Sequence, residues 1–202
     1  GLNFKIDSDK LECIATDSYR LSKKTVNLDK AVDNPINIVI PGKNIGELVK
    51  IINDEEEKIN IHIFTNKVLF EFDNILFQSR LLNDVFPNIN RLIPDEFKIV
   101  ITANLDELFN VVDRASLLTS EKEKNVIKFE TNGSILTVTS NTPEIGRVEE
   151  KLPINKDKNE DIKIAFSAKH MMDALRTINS KDVRILLNTE ISPIILNTGD
   201  ND

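Results

Sequence analysis

The stretch Ile99-Val100-Ile101-Thr102-Ala103-Asn104-Leu105-Asp106-Glu107-Leu108-Phe109-Asn110-Val111-Val112-Asp113-Arg114-Ala115 changes its hydrophobic period partway along. Ile99, Val100 and Ile101 are a short apolar run of strand type. From Leu105 onward Leu105, Leu108, Phe109 and Val112 follow i, i+3, i+4, i+7, which predicts a helix over 105–115 with one buried face. The same change occurs twice more. Ile38-Val39-Ile40 runs into a predicted helix over 43–52 with Ile45, Leu48, Val49 and Ile52 as its stripe. Ile164-Ala165-Phe166 runs into a helix over 169–178 with Met171, Ala174, Leu175 and Ile178. Three superposable stripes at near-constant spacing are an internal repeat.

Each helix is followed by two alternating strands joined by a tight turn, and usually by a third strand. Turns are expected at 7–10, 65–67, Asn132-Gly133 and Asn188-Thr189. Asn-Gly is the strongest, because both residues tolerate the positive φ of a type I′ turn. Third strands are expected at 75–82 and around 145–152. The unit is strand, helix, three strands, and the fold class is α+β: repeated units of one helix packed on antiparallel sheet. The first copy is represented by 2–26 alone, and the last stops at Asp202 without a third strand. Such a unit needs neighbours to cover its helix face and sheet edge, so the chain reads as a window on a longer repetitive protein. Paired units give two domains, 1–93 and 94–202, with 88–97 as an extended connector in which Pro87 and Pro94 flank Arg91-Leu92-Ile93.

Composition narrows the function. With no Trp and one Tyr, stacking on nucleic-acid bases is not the main activity. The only cysteine, Cys13, lies in an apolar strand pattern and reads as a small buried hydrophobe. One thiol builds no disulfide framework, which fits a reducing cytosol and a cytoplasmic location. No apolar run approaches the ~20 residues that span a bilayer, so no membrane partner is expected. The net charge of −7 argues against a simple DNA-binding module, which carries a basic patch.

Two local sequences then carry a resemblance. Ala15-Thr16-Asp17-Ser18-Tyr19-Arg20-Leu21 is similar to an A-T-D-x-x-R-L signature, and Phe86-Pro87-Asn88-Ile89-Asn90-Arg91-Leu92-Ile93-Pro94 to an F-P-x-[apolar]-x-R-[apolar]-[apolar]-P connector. Together, on the repeat frame, they resemble the β subunit of bacterial DNA polymerase III, the replicative sliding clamps. The resemblance implies the DNA-clamp fold, with 1–93 as an N-terminally incomplete middle domain and 94–202 as a C-terminal domain lacking its last strand. In that family two chains close head to tail into a homodimeric ring around duplex DNA, with helices lining the hole. The implied function is that of a processivity factor without enzymatic activity or cofactor. The implied partners are duplex DNA, held topologically and without sequence preference, the polymerase III catalytic subunit, the clamp loader, repair polymerases and mismatch-repair proteins.

The resemblance also implies site residues. The two segments form the family's pocket for partner peptides at the domain junction. Thr16, Ser18, Tyr19, Arg20 and Leu21 match from the first segment, and Pro87, Arg91 and Leu92 from the connector. The C-terminal domain would add Ser167, His170, Ile191 and Pro193. Apolar walls suit the Leu and Phe of a partner tail, while Arg and hydroxyl groups fix its backbone. Lys43, Lys50, Arg114, Lys122, Lys169, Arg176 and Lys181 on and beside the helices are expected to face DNA. A ring holds DNA by topology and needs few phosphate contacts, each of which adds salt-dependent affinity. An acidic outer surface with a mildly basic lining is compatible with −7.

Other readings are weaker. Asp17 with Arg20 reads as a turn-stabilising pair rather than a catalytic one. His62 and His170 lack companions at ligand spacing, so no metal is expected. The segment 41–47 lacks the order of a phosphate loop, and Glu55-Glu56-Glu57 reads as a solvated loop. The alternative function is a protein-interaction scaffold of the same fold that does not encircle DNA.

Overall fold

A computed structural model describes residues 1–53, 58–89, 92–119, 125–142 and 146–199. The chain divides into two compact units, Gly1–Asn88 and Ile89–Asn201. The division falls ahead of the boundary expected at Ile93. Ile89 is already buried, and its carbonyl accepts a hydrogen bond from the Leu92 amide at 2.8 Å.

The first unit runs β1 (Leu2–Asp7), β2 (Lys10–Thr16), β3 (Leu21–Asn27), β4 (Ile36–Ile40), α1 (Gly42–Ile51), β5 (Asn60–Ile63), β6 (Lys67–Phe72) and β7 (Ile75–Arg80). Its sheets are β3-β2-β1-β4 and β5-β6-β7, with antiparallel neighbours throughout. Phe4, Ile6, Leu11, Ile40, Val68, Phe70 and Phe72 project from the two sheets into one core with Leu48 of α1. Phe4 and Phe70 meet edge to face at 6.3 Å.

The second unit runs β8 (Ile99–Asn104), α2 (Leu105–Ser116), β9 (Val126–Asn132), β10 (Ile135–Thr142), β11 (Gly146–Pro153), β12 (Asn155–Lys156), β13 (Lys163–Ser167), α3 (Ala168–Leu175), β14 (Asp182–Leu187) and β15 (Ile195–Asn197). Its sheets are β11-β10-β9-β13 and β12-β8-β14-β15. The strand before each helix pairs with the first strand after the other helix: β13 with β9 and β8 with β14. The two repeat copies are thereby interlocked around a single core. The two-residue strand β12 had no signal in the sequence pattern.

Each helix follows its strand with almost no loop, and each starts differently. The Asn104 side chain caps α2 by accepting from the Glu107 amide at 3.0 Å, and Asp106 and Glu107 complement the helix dipole. Ser167 caps α3 through the His170 amide at 3.4 Å. Pro41 precedes α1 with no side-chain cap, and its carbonyl accepts from Asn44 and Ile45.

The expectations for helices and turns need four corrections. Val49 is 64% exposed, although periodicity placed it inward. Its counterpart Phe109 is half-buried on α2, where α3 packs alongside, whereas the first unit has one helix among its described residues. α3 ends at Leu175 rather than 178, although Ile178 still packs on the core from the following turn. The hairpin at Asn132-Gly133 is shifted by one residue. Asn132 pairs with Ile135, so Gly133 (φ 57°) and Ser134 are the central pair and only Gly133 takes a positive φ. That is not the type I′ geometry expected. The fourth turn is a longer loop over 188–194.

Leu48 and Val49 are neighbours on α1 with opposite environments, 4% and 64% exposed. Leu48→Ala is expected to destabilise the first unit by about 2–5 kcal/mol and Val49→Ala by no more than about 0.5 kcal/mol. Urea unfolding followed by circular dichroism measures both. Equal losses would mean the helix is rotated from the face described.

Candidate functional site

The turn between β2 and β3 is built by its own polar side chains. The Asp17 carboxylate accepts the Tyr19 and Arg20 amides through Oδ1 at 3.1 and 3.0 Å, and the Arg20 Nε through Oδ2 at 3.0 Å. Thr16 Oγ1 donates to the Arg20 carbonyl at 2.8 Å and accepts the Ser18 amide at 3.2 Å. Ser18 takes the left-handed conformation, φ 75°. This is an Asx-type turn, in which Asp17 acts on backbone rather than on a substrate. The result is a rigid knuckle that presents Tyr19, 85% exposed, at its tip, with Leu21 half-buried at its base. Pro87 lies exposed near the end of the same unit.

In the second unit Leu92 is half-exposed after the Ile89 turn. Ser167 and His170 are half-buried at the start of α3. Ile191, 96% exposed, and Pro193 stand on the 188–194 loop. That loop is held at its base by Asn188, whose side chain accepts the Lys98 amide at 2.7 Å and donates to the Glu96 carbonyl at 3.0 Å. Thr189 and Ser192 hydroxyls meet at 2.7 Å inside it. Sequence reading placed Asn188 only in a turn; its anchoring role appears once β14 and β8 are known to be adjacent. Arg91, Lys122 and Glu55 to Glu57 lie outside the described residues.

The helix cations do not form a uniform basic surface. Lys43 is exposed in the first turn of α1, while Lys50 pairs with Glu47 at 2.8 Å. Arg114 makes two parallel hydrogen bonds to Glu150 of β11, at 2.9 and 3.0 Å. The pair holds the Glu150 carboxyl below the usual glutamate range and pushes the Arg114 guanidinium up. Lys169 and Arg176 border an open groove of about 240 Å³ between α2 and α3, together with Asp113, Ser116, Asn125 and Asp173. Arg176 bonds Asp173 at 3.3 Å and lies 5.6 Å from the centroid of the Phe109 ring. Lys181 contributes its carbonyl, which accepts the Leu105 amide and the Asn104 side chain at the start of α2. Two acids and two bases leave the groove close to neutral. Among the described residues there is no group of three or more His, Cys, Asp or Glu suited to a metal, and no helix long and apolar enough to cross a membrane.

The amides of Tyr19 and Arg20, with the Arg20 guanidinium, hold the Asp17 carboxyl below the ordinary aspartate value of 3.8. A depressed carboxyl pKa means the turn's stabilisation is present above the unfolded value and is lost as pH falls through the folded one. An NMR titration is expected to find the Asp17 carboxyl titrating below 3.8, with the Tyr19 and Arg20 amide shifts moving on the same curve. A midpoint at or above the ordinary value would remove those amides as its partners.

Comparison with known proteins agrees over the whole chain. The central-domain model of the DNA polymerase III beta subunit matches residues 1–88 and the C-terminal-domain model residues 90–202. The chain is 39% identical over 202 residues to the beta sliding clamp of Staphylococcus epidermidis and 37% over 203 residues to that of Bacillus subtilis. Each match covers 100% of this chain, with 53% and 54% of the relative. The solved Bacillus subtilis sliding clamp superposes with a TM-score of 0.95 at 37% identity, over 100% of this chain and 53% of that one. The Streptococcus pneumoniae beta chain gives 0.91 at 32%, over 100% and 54%. The chain thus spans about half the length of the curated relatives it matches. With two consecutive domain models and relatives matched along the whole of this chain, it belongs to the DNA polymerase III beta subunit family, the bacterial sliding clamps.

Proposed function

We propose that this chain forms the central and C-terminal domains of a processivity factor that, as a complete homodimer, encircles duplex DNA and slides along it without sequence preference. The observation that carries the reading is the continuous match to sliding clamps through both domains, at 37–39% identity and in one fold. The helices line the passage for DNA, and the protein performs no chemistry of its own. The energy for opening and closing the ring is supplied by the clamp loader. The polymerase III catalytic subunit, the loader, repair polymerases and mismatch-repair proteins dock their tails in turn. They use Thr16, Ser18, Tyr19, Arg20, Leu21, Pro87, Arg91 and Leu92, together with Ser167, His170, Ile191 and Pro193. The rigid turn around Asp17 and the anchored loop carrying Ile191 support this reading, because preorganised apolar tips lose little entropy when a peptide binds.

The deciding experiment loads the full-length gene product onto nicked circular DNA with its clamp loader. Retention on the circle in moderate salt and release on linearisation is the expected result. Failure to be retained, with the loader shown active, would favour a scaffold that does not encircle DNA. For the docking residues, Tyr19→Ala and Ile191→Ala are each expected to weaken a polymerase-tail peptide by roughly tenfold or more, about 1.4 kcal/mol. Isothermal titration with unchanged circular dichroism checks this, and unchanged affinity in both variants would remove these tips from the site.

A further inference from the structure

The helix cations differ in how firmly acids hold them. Both described arginines are engaged by acids: Arg114 by Glu150 through two parallel bonds at 2.9 and 3.0 Å, and Arg176 by Asp173 at 3.3 Å while it covers the Phe109 ring. Lys50 with Glu47 and Arg176 with Asp173 are both exposed pairs within one helical turn, a type that contributes little. Lys43, Lys169 and Lys181 have no ion pair among the described residues.

The Arg114 pair joins α2 to β11 between residues far apart in the chain, with Arg114 half-exposed. Along β11, Val148, Glu150 and Leu152 occupy one face in alternation; Leu152 belongs to the core cluster and Val148 packs against it. Glu150 therefore stands in an inward row where an apolar residue is the default. Its side chain is 29% exposed, and the fork of Arg114 supplies the carboxylate with two donors. Guanidinium and ammonium also differ towards phosphate. Arg grips phosphate through its planar fork, whereas Lys is a hydrated point charge on a flexible stem. A protein that must release each phosphate as it moves is better served by the second.

Resting on the reading that these helices face duplex DNA, we propose that Glu150 withholds the Arg114 guanidinium from the phosphates, leaving phosphate contact in this part of the protein to Lys43, Lys169 and Lys181. Glu150 is a positioning residue in this scheme: it sets how tightly the lining holds DNA without touching DNA.

The test measures binding of the full-length protein to a fluorescein-labelled linear duplex by anisotropy across a salt series. Each phosphate contact contributes about 0.9 to the log–log salt slope. Lys43→Gln is expected to flatten the slope by about that amount and Arg114→Gln to leave it unchanged. Glu150→Gln frees Arg114 and is expected to steepen it by about 0.9, with the double variant R114Q/E150Q returning to the wild-type slope. Three results would overturn the proposal: Arg114→Gln flattening the slope as Lys43→Gln does, Lys43→Gln having no effect, or E150Q and R114Q/E150Q steepening alike. The Arg114→Gln arm decides even if E150Q folds poorly. Encirclement is read separately, by retention on nicked circles, so a protein that fails there but shows these slopes loses the ring and keeps the acid-held Arg114.

Discussion

The architecture depends on reciprocal strand exchange between repeat copies. In the second unit the strand leading into one helix is hydrogen-bonded to the strand leaving the other, in both directions: β13 with β9 and β8 with β14. Neither copy completes a sheet alone. Once both ladders form, α2 and α3 lie side by side over one core, and their buried faces (Leu105, Leu108, Val112, Met171, Met172 and Leu175) are fixed with no further choice. The same logic joins β1 to β4 in the first unit. Burial then follows helix pairing. α2, with a neighbouring helix, buries five side chains, whereas α1, in a unit with one helix among the described residues, fully buries only Leu48.

Much of this was legible in the sequence, because hydrophobic period is a local property. The switch from strand run to helix stripe at Ile101–Leu105, and its recurrence, located the three helices and the strands around them. What stayed hidden was set by non-local partners. Val49 carries the right period for burial, yet its exposure depends on whether a second helix lies beside it. The Asn132-Gly133 pair marks a turn correctly but does not say which two residues are central, because the register of Asn132 opposite Ile135 decides that. The pair β12 (Asn155–Lys156) is too short to show any period at all.

The candidate site divides the same way. The knuckle at Asp17 could be read from its own residues, since an Asx turn is closed by the next few amides, and the resemblance drew attention to the same segment. Glu150 and Asn188 could not. Glu150 meets Arg114 across thirty-six positions of chain and Asn188 meets Lys98 across ninety. For Glu150 a weak local clue existed, an acid in step with Val148 and Leu152 on an inward row. Helix position alone placed Arg114 among the cations expected to face DNA, and only the fold shows its partner Glu150.

Reciprocal exchange also has a consequence for how the second unit comes apart. Its two copies are joined covalently through the segment that contains β12, but they are held by two separate antiparallel ladders and a common core. A single break in that connecting segment would leave halves that each present an unsatisfied strand edge complementary to the other. The unit therefore has the anatomy of a fragment-complementation pair, in which continuity of the chain sets the local concentration of the two halves, while their mutual recognition is written in the ladders.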